Sequence, residues 1–296
     1  MRLYASSLVL AIVATGCGGG GAPNEDASTS IDASAGNDAG GPIDAGAPID
    51  AASSIDAGPR PDTGSTGDLD LDGLDDAYEL QIAGDYLPYL SVSDMDHCAR
   101  SGILFRLRPH PADASRIAVT YIMLYENDCG AGGHIGDDEA FGVTIDPSRP
   151  APAGLLSVRT IAHQNTACQS ITECGSCAGE TACTTGMRRG AAYPAIFASR
   201  DKHGWYATER ACDGACFFTN TCDMSAAPNE PVLYNAGEPA APLIHDLTDA
   251  GLITAANGWT QMSLFHFDPW ASMNFGGAGD TTSDLNDPAF LTPACP

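Results

Sequence analysis

The stretch Gly132-Gly133-His134-Ile135-Gly136-Asp137-Asp138-Glu139 runs without a break into Ala140-Phe141-Gly142-Val143-Thr144-Ile145. Two glycines loosen the backbone ahead of His134, and the apolar run after Glu139 predicts a strand. Asp137 and Glu139 are two residues apart, so a strand puts both carboxylates on one face, with His134 entering from the preceding loop. One imidazole and two carboxylates meeting at a loop–strand junction make half of a metal site. The plain alternative is a solvated strand edge beside an ordinary loop histidine.

The flanking chain has the same strand character. Ile103, Phe105 and Leu107 alternate with Leu104, Arg106 and Arg108, and residues 117–125 are apolar enough on both faces for a central strand. Residues 141–145, 155–161 and 193–198 read as further strands with Gly and Pro between them, and cysteine-rich loops are expected over 164–190 and 211–223. A short helix is expected over 75–83, stopped at Gly84, and a second candidate covers 242–256 with Ile244, Leu247 and Leu252 roughly on one side. Many short strands joined by long loops predict a mainly β fold: a disulfide-stapled β-sandwich with a few short helices over 80–296, about 215 residues.

Eleven cysteines support the stapling. Cys17 stands apart near the start, and the other ten are Cys98, Cys129, Cys168, Cys174, Cys177, Cys183, Cys212, Cys216, Cys222 and Cys295. An even set in an exported chain reads as five disulfides, whose connectivity spacing alone does not give. Cys174-Gly175-Ser176-Cys177 has the spacing of a zinc ligand pair, but outside the cytoplasm a disulfide is expected.

The first residues look like an export signal: Arg2, an apolar core over 8–14, then Ala14-Thr15-Gly16-Cys17. That core is too short to span a bilayer. The small residues before Cys17 resemble a bacterial lipobox, which implies a signal peptide over 1–16 and palmitate-type acyl chains on Cys17; an ordinary secretory peptide is the alternative. Residues 17–67 are mostly Gly, Ala, Ser, Pro and Asp, with Asp at every sixth position from 26 to 62. So little apolar surface does not offset the entropy of ordering, and a disordered acidic tether is expected. Its flexible chain would hold the folded part on the order of 40 Å from the anchor.

Next come Asp68, Asp70, Asp72, Gly73, Leu74, Asp76 and Glu79. Counted from Asp68, carboxylates fall at positions 1, 3, 5, 9 and 12 with Gly at 6, which is the spacing of an EF-hand-type calcium loop. In that reading the Leu74 carbonyl is the backbone ligand and Glu79 the bidentate one. No helix precedes the loop, so it resembles the lone calcium loops of extracellular modules; the alternative is an acidic N-terminus on the following helix.

A second functional stretch is Ser199-Arg200-Asp201-Lys202-His203-Gly204-Trp205-Tyr206, where Gly204 is expected to permit a sharp turn around His203. Together with Gly133–Glu139 it resembles the necrosis-inducing-protein-like family and its vacuolar-sorting-type relatives. The first family carries the heptad Gly-His-Arg-His-Asp-Trp-Glu and a later His-Gly strand end. Here His134, Asp137 and Glu139 match, whereas Ile135, Gly136 and Asp138 replace the Arg, second His and Trp. Tyr86-Leu87-Pro88-Tyr89-Leu90 and Trp270-Ala271-Ser272-Met273-Asn274-Phe275-Gly276 are similar to the vacuolar-sorting-type relatives, so the resemblance spans roughly residues 76–280. It implies a sandwich with a divalent cation in a cleft, held by His134, Asp137, Glu139, His203 and an upstream acid, read here as Asp128 with Glu126 as the alternative. Plant-directed cytolysis goes with the intact heptad and is not carried over. Two His with three carboxylates suit Mg, Mn or Zn better than calcium.

A formal charge of −25 excludes a nucleic-acid partner and electrostatic docking on anionic lipid. No nucleophile elbow, His-Glu-x-x-His helix or phosphate loop occurs. The expected protein is a lipoprotein of the bacterial envelope, at the outer membrane or cell surface, binding a glycan or lipid head group through a metal. The alternatives are a metal-assisted hydrolase, with Glu139 or Asp138 as base, and a structural envelope protein.

Overall fold

Ten strands and three short helices form the ordered frame of the computed structural model, which describes residues 67–98, 100–130, 133–163, 167–177, 181–213, 215–218, 220–223, 230–238, 241–257, 259 and 291–295. The signal peptide, Cys17, nearly all of the tether and the 270–276 stretch lie outside these residues. The elements are α1 (Asp76–Asp85), β1 (Tyr89–Ser91), β2 (Arg100–Pro109), β3 (Ile117–Asn127), β4 (Ile135–Ile145), β5 (Leu155–Ala162), β6 (Ser170–Gly175), β7 (Thr185–Arg188), β8 (Ala191–Ala198), β9 (Trp205–Tyr206), α2 (Glu209–Cys212), α3 (Ala215–Phe218) and β10 (Leu233–Asn235). The fold is mainly β, as expected.

One sheet has six strands in the order β10-β2-β3-β4-β5-β6, antiparallel except that β10 runs parallel to β2. The other is built on β8, flanked by β1 in parallel and by β7 and β9 in antiparallel pairing. Strand alternation sends Ile103, Phe105, Leu107, Tyr121, Phe141 and Val143 into the core shared with Ile196, Ala198 and Trp205 of the second sheet. Leu104, Ile122, Leu124, Ala140 and Ile161 point the other way, onto Ala236, Ile244, Leu247, Leu252, Ile253, Trp259 and Leu291. The six-stranded sheet is therefore covered on both faces, which is why β3 reads as apolar throughout. Phe141 meets Trp205 edge-to-face at 5.1 Å and stacks on Tyr121 at 5.0 Å, favourable geometries for rings that each contribute about 1.5–3 kcal/mol by burial.

Several boundaries differ from expectation. β4 begins at Ile135, so Asp137 and Glu139 lie inside a strand instead of at its junction. The long partner β3 explains this, because it still pairs with Ile135 at Asn127. The cysteine-rich stretch over 164–190 contains β6 and β7. Residues 242–256 form turns in place of an α-helix, with a single 3-10 turn at Ala255–Asn257: Asp246 accepts from Thr248 and Asp249 N–H, and Gly251 sits at φ +75°. Ile244, Leu247 and Leu252 are nonetheless buried together. The ten cysteines form five pairs: Cys98–Cys129, Cys168–Cys216, Cys174–Cys183, Cys177–Cys295 and Cys212–Cys222. Cys174 and Cys177 thus take different partners.

Candidate functional site

Residue pairing decides which acids meet. Asp137 stands opposite Tyr125 and Glu139 opposite Met123, and both partners belong to the core between the sheets. Asp138 stands opposite Leu124 on the other face, so it does not share a site with Glu139 as an alternative base. Just beyond β3, the Asp128 N–H donates to the His134 carbonyl at 3.0 Å, which closes the loop from which His134 projects.

The turn between β8 and β9 brings in His203. Its N–H donates to the Ser199 carbonyl at 2.7 Å. The sharp turn does not use Gly204: Asp201 and His203 themselves take the left-handed conformation, at φ +62° and +54°. Backbone strain of this kind in non-glycine residues collects at functional sites. Gly204 serves close approach instead, since a Cβ there would lie 2.6 Å from the Ala162 Cβ.

His203 is fully buried, with its ring flat on Tyr125 at 3.6 Å. Nδ1 bonds to Asp137 Oδ2 at 2.7 Å. Nε2 faces Asp96 Oδ2 at 3.2 Å, a charge contact without hydrogen-bond alignment, so both atoms are buried and unsatisfied. Burial pulls the imidazole pKa down, but the Asp137 hydrogen bond and the close Asp137 and Asp96 carboxylates outweigh it and push it up to about 9. For Asp96, burial opposes ionisation, yet His203 holds the carboxyl below its ordinary value.

Two more atoms stand ready at this end. His134 Nδ1 donates to the Gly136 carbonyl at 2.8 Å, so Nε2 is the nitrogen left for another partner; it is buried, without a hydrogen-bond partner among the described residues, and 3.8 Å from Asp128 Oδ2. Glu139 Oε2 is likewise buried and unpartnered. Burial raises the Glu139 carboxyl well above its usual value, and Asp137, Asp138 and Asp128 add to the rise against Lys202.

Lys202 Nζ contacts Asp128 Oδ2 at 2.5 Å, so an internal ammonium supplies the charge expected there from a metal. Among the described residues, Asp96, Cys98 and His203 have ligand atoms within 4.8 Å of one another at this end, and Cys98 is a disulfide sulfur. Asp128, His134, Asp137, Glu139 and His203 share a neighbourhood without forming one such grouping. Asp96, Asp128, Asp137 and Glu139 set against Lys202 and His203 leave two negative charges uncompensated when all are ionised. Sequence reasoning missed Asp96 and Lys202. Lys202 immediately precedes His203 in the chain, whereas the sequence carries no signal for Asp96, which lies two residues before a cysteine paired to the Asp128 loop.

The acidic loop before α1 forms a separate cluster. Asp68, Asp70 and Asp72 group within 4.8 Å, as do Asp70, Asp76 and Glu79. Gly73 takes φ +97° at the turn, and the Leu74 side chain is buried in the main core. Asp75 caps α1 by accepting from Ala77 and Tyr78 N–H. Burial first, then neighbouring carboxylates, pushes Asp70 to about 6, Asp72 to about 7 and Glu79 to about 10.

A scan against protein-family models and a search of curated proteins find no match. Among solved structures, the chain is similar to "NLPPya in complex with glucosamine" (14% identity, TM-score 0.37), "Toxin fold for microbial attack and plant defense" (14%, 0.36) and "NLPPya in complex with mannosamine" (13%, 0.35). Each covers 71% of this chain and 88% of the other. These distant neighbours are necrosis-inducing-like proteins, and the likeness concerns the fold alone.

Proposed function

We propose that this protein is a lipid-anchored envelope protein whose sandwich binds a glycan-type ligand through a divalent cation at the β4 and β8–β9 end. The observation that carries the metal part is His203: Asp137 holds Nδ1, while Nε2 faces Asp96 Oδ2 across 3.2 Å with neither atom satisfied. A carboxylate behind one ring nitrogen, with the other nitrogen facing a second carboxylate, is how a ligating histidine is commonly oriented; a cation would take the place of the Nε2 proton held in the metal-free protein. His203 and Asp96 would be the primary ligands; Glu139 Oε2 and His134 Nε2, which form no grouping with that pair within 4.8 Å, would join only if their side chains moved towards the ion. Asp137 would orient, and Lys202 would neutralise Asp128. Mixed nitrogen and carboxylate donors suit Zn or Mn, and Mg less well.

The cation supplies a Lewis-acidic point to which neighbouring sugar hydroxyls coordinate. Side chains of His134 and Lys202 retain 21% and 14% exposure, so approach is from their side. An acidic surround favours neutral hydroxyls or an ammonium-bearing sugar over a phosphate head group. Cys17 and the tether would present the domain away from the membrane.

Elemental analysis of the full chain, with calcium counted separately, tests the metal; calorimetry with glucosamine and mannosamine, with and without chelator, tests the ligand. One Zn or Mn per chain is expected, lost in Asp96→Asn and His203→Gln, with sugar binding abolished alongside. Undiminished Zn or Mn in both variants, or sugar binding indifferent to the metal, would refute the proposal.

A further inference from the structure

We infer that the acidic loop is one half of a calcium clasp whose other half is the segment Asn235–Glu238, so that one ion fastens residues 68–79 to strand β10 more than 150 positions away. This goes beyond the self-contained loop that spacing implies and does not depend on the cation proposed beside His203.

The loop supplies only oxygen donors, so a hard cation is called for. Glu79 is 0% exposed and Asp70 3% exposed, and each keeps one carboxylate oxygen, Oε1 and Oδ1, with no hydrogen-bond partner among the described residues. Asp68 Oδ1 and Asp72 Oδ2 are in the same condition. Buried carboxylate oxygens facing one another without donors are costly, and a cation at their centre removes that cost. Asp68, Asp70 and Asp72 form one triad of ligand atoms within 4.8 Å of one another and Asp70, Asp76 and Glu79 a second, so Asp70 joins the two around a common centre; the many carboxylates and the twelve-residue spacing favour calcium over magnesium, which keeps more of its water.

The second half orients the first. Asn235 Nδ2 donates to Glu79 Oε2 at 2.9 Å, and the Glu238 N–H donates to Asp70 Oδ2 at 3.0 Å. In each carboxylate one oxygen is thus occupied by the distant segment and the other is left for the ion. Glu238 is itself fixed by Arg106, whose Nε meets Oε1 at 2.7 Å. Gly237 makes the passage possible: it takes φ +74°, and a Cβ would come within 2.7 Å of Leu243 N and 3.2 Å of the Asp70 Cβ. The linked segment includes Ala236, part of the layer covering the second face of the six-stranded sheet.

The test is calcium titration of the full chain, read by calorimetry and by amide hydrogen exchange. One calcium is expected to bind and to slow exchange over 76–85 and 233–238 with the same midpoint. Asp70→Asn should remove binding and both protections. Asn235→Ala, which deletes no ligand, should weaken calcium about tenfold, in the range for outer partners of ligating carboxylates. Near-UV circular dichroism confirms that each variant is folded. Calcium binding that protects 76–85 and leaves 233–238 unchanged, wild-type affinity in Asn235→Ala, or no binding at about 10 mM calcium would each overturn the clasp. Retained calcium with no Zn or Mn would overturn only the site at His203, so the two fail separately.

Discussion

His203 makes stability depend on pH in a way that can be computed. In protein free of transition metals its pKa is raised from 6.5 to about 9, because Asp137 and Asp96 outweigh burial. A raised folded-state value means that the stabilisation is complete below 6.5 and is lost as pH rises through about 9. At about 1.4 kcal/mol per unit, this amounts to about 3 kcal/mol, shed over that window with a slope near one proton. The assay is urea unfolding at pH 6, 7, 8 and 9, in EDTA saturated with excess calcium to scavenge zinc and manganese while keeping calcium present. Tyr121, Tyr125 and Tyr206 have phenols raised by burial and ionise above the window. The raised loop carboxylates also titrate, so the quantity compared is wild type minus His203→Gln. That difference should fall by about 3 kcal/mol from pH 6 to 9. A flat difference, or one that grows with pH, would show that the imidazole is not held charged between the two carboxylates.

Two further outcomes are expected. Peptide mapping without reductant should recover Cys98–Cys129, Cys168–Cys216, Cys174–Cys183, Cys177–Cys295 and Cys212–Cys222, with a mature mass ten hydrogens below the reduced form; a Cys174–Cys177 link would contradict the assignment. Cys17→Ser should abolish acyl labelling and detergent-phase partitioning in a bacterial host, and unchanged labelling would remove the lipid anchor from the proposal.

What the sequence disclosed and what it hid follow from contact range. Asp137 and Glu139 were legible as face-sharing because strand alternation is local, and the loop from Asp68 to Glu79 because its spacing is. Their partners were not. Asp96 reaches His203 through a loop pinned by Cys98–Cys129, and Asn235 reaches Glu79 through sheet pairing. His203 was found by resemblance, but its left-handed backbone was misassigned to Gly204 because composition favours glycine there. The 242–256 stretch kept its apolar spacing and lost its helix to an Asp246 turn, so burial was readable where conformation was not.

The segment over 291–295 imposes an order on biogenesis. Leu291 completes the apolar layer over one sheet face, the Thr292 carbonyl meets His110 Nε2 at 2.7 Å, and the Pro293 carbonyl accepts from Thr144 Oγ1 at 2.8 Å. Cys295 then closes onto Cys177 across 118 positions, whereas Cys174 and Cys183 are only 9 apart and meet far sooner. On the export route proposed above, β2 to β5 would be delivered before the segment that completes the cover of one face, and Cys177 would wait as a thiol between two neighbours that pair first. That interval exposes the chain to capture by holding chaperones and to thiol–disulfide exchange at Cys174–Cys183. If the protein is exported as proposed, its yield in an oxidising compartment is expected to rise with added disulfide isomerase, and a yield indifferent to isomerase would contradict this order of closure.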